Sequence, residues 1–159
     1  MKSSKSLVLV IGIGNPYRRD DAVGLIVARA LRAKGLDHVE VLEMSGEGTA
    51  LLEVWENAET VIVIDAVHSG AEPGTIFRFE AHHQPIPTEF FRCSTHNFGL
   101  AEAIELARSL GQLPRELIVY GIGGQDFTMG EGLSAVVARA AQEVTQRIGQ
   151  ELRGRSHFQ

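Results

Sequence analysis

The chain has 159 residues, 44% of them hydrophobic and 22% charged, and its 15 Lys and Arg against 20 Asp and Glu leave a net charge of −5. That length is one domain's worth, able to bury roughly two-thirds of its unfolded surface, and the balance excludes a disordered chain. The acidic excess lacks the footprint of a nucleic-acid binder, and the lone Cys93 excludes an internal disulfide or a zinc cage of paired cysteines, which fits a reduced, cytoplasmic setting.

Leu7 to Ile13 (LVLVIGI) is continuously apolar and rich in branched residues, the pattern of a strand buried on both faces. It is too short for a membrane span, and no other apolar run approaches about 18 residues, so a soluble, unprocessed chain is expected. A helix is predicted from Asp21, because Val23, Ile26, Val27, Ala30 and Leu31 share one stripe, and Lys34-Gly35 ends it. Val39 to Leu42 reads as a second strand. Thr49 is placed to cap a short helix through Leu51, Leu52, Val54 and Trp55. Thr60 to Ala66 (TVIVIDA) repeats the buried-strand pattern, and Thr75 to Phe79 alternates like a peripheral strand.

Ala81 to Arg92, with its prolines and histidines, reads as a surface excursion. Ser94-Thr95-His96 leads into a helix through Leu100, Ala103, Ile104, Ala107 and Leu110. Glu116 to Tyr120 is the last strand, Gly121 to Gly132 a glycine-rich loop, and Leu133 to Leu152 a terminal helix. Residues 1–5 and 154–159 are expected to fray. Buried strands alternating with amphipathic helices imply an α/β fold: a single domain, with a mostly parallel sheet covered by helices on both faces.

In such sheets ligands bind beyond the carboxyl ends of the strands. The polar residues that follow strands are Asn15, Asp20 and Asp21; Glu43, Ser45 and Glu47; Asp65 and His68; and Gln125 and Asp126, while the loop into the Leu100 helix adds Thr95, His96 and Asn97. The Gly12-Ile13-Gly14-Asn15-Pro16 turn departs from the dinucleotide fingerprint, since Tyr17 stands at the third glycine and two acids at the helix start would repel a pyrophosphate. Helix capping accounts for one of Asp20 and Asp21. Asp65 is different: it interrupts an apolar strand as the strand leaves the core, where an unpaired carboxylate costs several kcal/mol.

Asp21, Asp65 and His96 come from three segments that this topology sends to one sheet edge. Two carboxylates and an imidazole make a three-ligand site with open positions, suited to a borderline divalent metal such as nickel or zinc. Elsewhere, the adjacent His82 and His83 read as a solvated loop whose rings point apart. Cys93 reads as an incidental cysteine rather than a nucleophile paired with His96. Arg18 and Arg19 read as solvated, with an anionic peptide end as the other use, and the glycine-rich loop as either a connector or the wall of a substrate groove.

The stretches VLVIGIGNPYRRDDAVG, VIVIDAV, STHNFGLAEAIELARSLGQLP and ELIVYGIGG, in that order from Leu7 to about Ile148, resemble the hydrogenase maturation endopeptidases. These enzymes remove a short C-terminal extension from the large-subunit precursor of nickel–iron hydrogenases. The resemblance implies a five-stranded twisted sheet flanked by helices, and a metal-contacting and catalytic trio at Asp21, Asp65 and His96. It also implies that the nickel is supplied by the precursor and read as the signal to cut, with another divalent metal able to bind the isolated protein. The family often has glutamate at the Asp21 position. Its aspartate-glycine-glycine turn after the second strand is replaced here by Glu43-Met44-Ser45-Gly46-Glu47-Gly48, a variant similar to enzymes serving cytoplasmic, cofactor-reducing hydrogenases.

Two other readings compete. The same trio would serve a nickel-binding escort that does not cut. The IGIGNP turn also resembles peptidyl-tRNA hydrolases, but those need a histidine shortly after the turn, where this chain has Asp20-Asp21, and the net charge disfavours a tRNA substrate. No membrane partner is expected.

Overall fold

A computed structural model describes residues 7–68, 70–91 and 97–157. Cys93 and His96, and the ends expected to fray at 1–5 and 158–159, lie outside the described residues.

β1 (Val8–Ile13), β3 (Thr60–Val67) and β5 (Glu116–Gly123) are buried along almost their whole length, whereas β2 (Val39–Met44) and β4 (Ile76–Glu80) are mostly half-buried. Burial predicts the layout: the apolar strands take the centre and the mixed ones the edges. The sheet order is β2-β1-β3-β5-β4, parallel except for β4, which runs antiparallel to β5.

The helices are α1 (Val23–Ala33), α2 (Gly48–Trp55), α3 (Leu100–Ser109) and α4 (Ala135–His157). α1 packs with α4 and α2 with α3, so each pair covers one face of the sheet. Strand alternation splits the core accordingly. Val10, Ile62, Ile64, Ile118 and Ile122 meet Val27, Val144 and Ile148 on one side. Leu9, Ile11, Val61, Val63 and Val119 meet Leu51, Trp55 and Ile104 on the other.

Several local expectations need correction. The turn Arg19–Ala22 is a 3-10 helix, and α1 starts only at Val23, with no side-chain cap at either start; neither Asp20 nor Asp21 caps, because both carboxylates bond elsewhere. α2 is capped by Glu47, which accepts from the amides of Thr49 and Ala50, rather than by Thr49. The stretch from Ala81 is not purely a surface excursion. Ala81, Ile86 and Phe91 are buried, and Phe90 packs on Phe77 at 4.9 Å, covering the aromatic face of the edge strand β4. α4 runs through His157, so residues 154–157 are helical; Arg155 holds this last turn to Glu116 on β5 at 2.8 Å.

One contact aims the first loop. A Cβ on Gly24 would sit 2.3 Å from the Ile64 carbonyl oxygen and 2.4 Å from that of Ile13. Only glycine lets the first turn of α1 lie on the backbones of β1 and β3, and this close approach sets the preceding turn, with Asp21, over the ends of both strands. Backbone on both sides cannot step aside, so Gly24→Ala should cost about 3 kcal/mol or more. For a chain of this size that lowers Tm by roughly 6–12 °C, readable by thermal melting.

Candidate functional site

β1 has β2 on one side, reached through α1, and β3 on the other. The carboxyl ends of β1 and β3 therefore flank the switch point in strand order, the expected place for a ligand. Asp65 stands at the end of β3, on the same face as Val61, Val63 and Val67. Asp21 arrives from the 3-10 turn above. Both are buried.

Asp21 Oδ2 accepts the Asn15 amide at 2.9 Å, and Oδ1 lies 2.9 Å from His68 Nε2. Asp65 Oδ1 accepts the Ala66 amide at 2.8 Å. Burial pushes the Asp65 carboxyl well above the usual carboxylate range, the neighbouring charge of Asp21 pushes it further, and the Ala66 N–H opposes both. Asp21 and Asp65 thus meet, as expected. Two carboxylates in one desolvated corner repel each other, and a cation between them relieves that repulsion. An imidazole beside them would complete a set of N and O donors suited to a borderline divalent metal. The third expected member, His96, is among the residues not described.

His68 was singled out only as a polar residue after a strand, yet it joins the site. Its ring stacks on Phe127, with centroids 4.2 Å apart and planes at 16°, and its amide donates to the Phe90 carbonyl at 2.8 Å. Ring and backbone are both held, so Nε2 stays on Asp21 and orients that carboxylate. The available signal was its position three residues past Asp65, just beyond the strand end.

Asp20 is the larger omission. It is fully buried and takes four hydrogen bonds: the amides of Gln125 at 2.8 Å, Asp126 at 2.9 Å and Ser134 at 2.8 Å, and the Ser134 hydroxyl at 2.8 Å. Main-chain bonds extend this seam. Asp20 N donates to Asp126 O, Arg19 N to Gly130 O and Gly130 N to Tyr17 O. The glycine-rich loop is therefore laced to the acidic turn, and it places Phe127 against His68. The arginines are engaged here too: Arg18 Nε donates to Phe127 O and Arg19 Nη1 to Glu131 O.

With this geometry in hand, the chain was compared with known proteins. The family model for hydrogenase maturation protease, HycI, matches residues 26–151, a span that includes Asp65 and His96 and starts after Asp21. The hydrogenase 2 maturation protease of Escherichia coli is 28% identical over 150 residues, covering 92% of this chain and 90% of that one. A candidate hydrogenase maturation protease of Methanocaldococcus jannaschii is 32% identical over 155 residues, covering 94% and 98%. Among solved structures, the E. coli hydrogenase maturating endopeptidase HybD superposes with a TM-score of 0.76 at 25% identity over 93% of each chain. HycI from Thermococcus kodakarensis, at 22% identity over 95% of each chain, shares the fold with a TM-score of 0.72. The family model spans residues 26–151, and the two relatives match over more than nine-tenths of the chain: the chain belongs to the hydrogenase maturation protease family.

Proposed function

We propose that this chain is an endopeptidase that removes the C-terminal extension of a nickel–iron hydrogenase large-subunit precursor, and that nickel already seated in the precursor is its recognition signal. The observation that carries the reading is the pair Asp21 and Asp65, two buried carboxylates brought from separate segments to one strand-end corner, where the charge of Asp21 raises the Asp65 carboxyl. In this reading Asp21, Asp65 and His96 contact the nickel of the bound precursor.

The chemistry follows from the donor set. The carboxylates hold and orient a water beside the scissile peptide and accept its proton, an aspartate-based route. The water oxygen bonds to the carbonyl carbon, the C–N bond breaks, and the proton passes to the departing amine. Nickel, as part of the substrate, supplies positive charge where the carboxylates would otherwise repel an approaching carbonyl oxygen. His68 acts as a positioning residue, holding Asp21 in place.

A folded protein substrate suits the surface around the site. Tyr17 is 59% and Met129 73% exposed, on the two segments laced together beside it, and exposed side chains of this kind are common where a partner docks. Among the described residues no helix is long and apolar enough to cross a membrane. The cytoplasm is the proposed setting, given one cysteine and an acidic surface.

The test is to incubate the purified chain with nickel-loaded and nickel-free precursor and to follow precursor mass. The nickel-loaded precursor should shorten by the mass of its extension while the nickel-free one stays intact. If neither shortens and a stable nickel-dependent complex forms, the chain is an escort and the proposal fails. Equal cutting of both removes nickel as the signal.

A further inference from the structure

The adjacent histidines do not point apart. After β4 the chain curls, with His83 N donating to Glu80 O at 2.9 Å and Gln84 N reaching the same oxygen at 3.2 Å. This turn replaces strand alternation. The rings of His82 and His83 come within 4.3 Å of each other, and Glu80, His82 and His83 each present a ligand atom within 4.8 Å of the others. They are the one such group of three found among the described residues.

We infer that Glu80, His82 and His83 form a binding site for a borderline divalent cation, of the zinc, copper(II) or nickel class, at the end of the sheet opposite Asp21 and Asp65. Glu80 pairs with Ile118 early in β5, whereas Asp65 pairs with Gly121 further along it, so the two sites are separate and this inference stands apart from the proteolytic reading. Two imidazoles and one carboxylate select this class over magnesium or calcium, which prefer oxygen alone.

The supporting contacts are those a ligand set needs. The Leu117 N–H donates to His82 Nδ1 at 3.0 Å, and the Leu117 carbonyl oxygen lies 3.2 Å from the same nitrogen, so the ring is held against β5. For Nε2 to bind a cation the ring switches tautomer: Nδ1 takes the proton, gives up the Leu117 N–H and donates to the Leu117 carbonyl instead, the usual backing for a metal-bound histidine. Arg78 Nη1 holds Glu80 Oε2 at 3.0 Å, and Glu80 Oε1 faces His83 Nε2 at 3.7 Å. Ligands about 2.0–2.2 Å from one ion stand no more than about 4.4 Å apart, so closure asks only a small swing of the exposed His83 ring. Glu80 and His82 are half-buried, which leaves the remaining coordination positions to water.

The test is a zinc titration of the whole chain, read by calorimetry and by zinc-dependent rise in Tm. Wild type and Asp65→Asn should both show a binding event that His83→Ala weakens at least tenfold and His82→Ala abolishes. His83 is exposed, so His83→Ala keeps the fold and remains informative if His82→Ala is unstable. Zinc affinity unchanged in His83→Ala overturns the inference. So does binding lost in Asp65→Asn but kept in both histidine variants, which would put the ion at the other end of the sheet.

Discussion

The Asp65→Asn variant is expected to melt higher than the wild-type chain at neutral pH and to leave the hydrogenase precursor uncut. Asp65 is buried and its carboxyl lies well above the ordinary range, first through desolvation and then through the charge of Asp21. Below about pH 3.9 the carboxyl is protonated in folded and unfolded chains alike, and it brings no penalty. As pH rises from there toward the raised folded value, the unfolded chain ionises while the folded chain keeps its proton. The folded state then binds more protons than the unfolded one, and stability falls through that window. Asparagine has no proton to lose, and its carbonyl still accepts the Ala66 amide. The gain in Tm over wild type should therefore be absent near pH 3–4 and should grow as pH rises above that range. Activity moves the other way: losing an acid–base carboxylate slows chemistry by about 10²-fold or more. Melting curves across pH and precursor mass after incubation check both halves. A variant that cuts at the wild-type rate removes Asp65 from the chemistry, and one that melts lower at neutral pH contradicts the electrostatic account.

Asp20→Ala should produce the largest loss of stability at the site. It strips the acceptor from the amides of Gln125, Asp126 and Ser134 and from the Ser134 hydroxyl. Each buried donor left unsatisfied costs about 1–3 kcal/mol, and partial rehydration of the loop leaves a net of about 3–5 kcal/mol. That is a fall in Tm of roughly 10 °C for a chain of this length. Asp20→Asn should be milder. With its carbonyl in the Oδ2 position it keeps three of the four bonds, and its NH2 then faces only the Ser134 amide. Because the same seam holds Phe127 on His68, Asp20→Ala should also raise hydrogen exchange at Gln125, Asp126 and Ser134. Unchanged exchange there, or Asn as damaging as Ala, would contradict this assignment.

These two aspartates show how unevenly function can be read from a sequence. Asp65 was visible because it breaks an apolar strand, and a lone carboxylate in that setting calls for an explanation. Asp20 and Asp21 sit side by side at a helix start, where capping accounts for acids in general. Their real division of labour depends on partners far along the chain: Asp20 reaches Ser134 across 114 residues, and Asp21 reaches His68. His82 and His83 failed for another reason. Alternation holds while a chain is extended, and here a turn replaces the strand at the point where the histidines begin.

What the sequence by itself determined is the α/β class, the buried character of β1 and β3, and the strand-end corner expected to hold Asp21 and Asp65. Those follow from apolar periodicity and from the rule that ligands bind beyond the carboxyl ends of parallel strands, both of which are local patterns written in the chain. Only the tertiary structure decided which acid anchors the glycine-rich loop, that His68 holds Asp21 from beneath Phe127, and that two histidines and a glutamate gather at the far end of the sheet. A hydrogen-bond partner or a metal-ligand neighbour is chosen by distance in space, and that distance is set by how α1 settles onto β1 and β3 through Gly24 and by where each loop then returns.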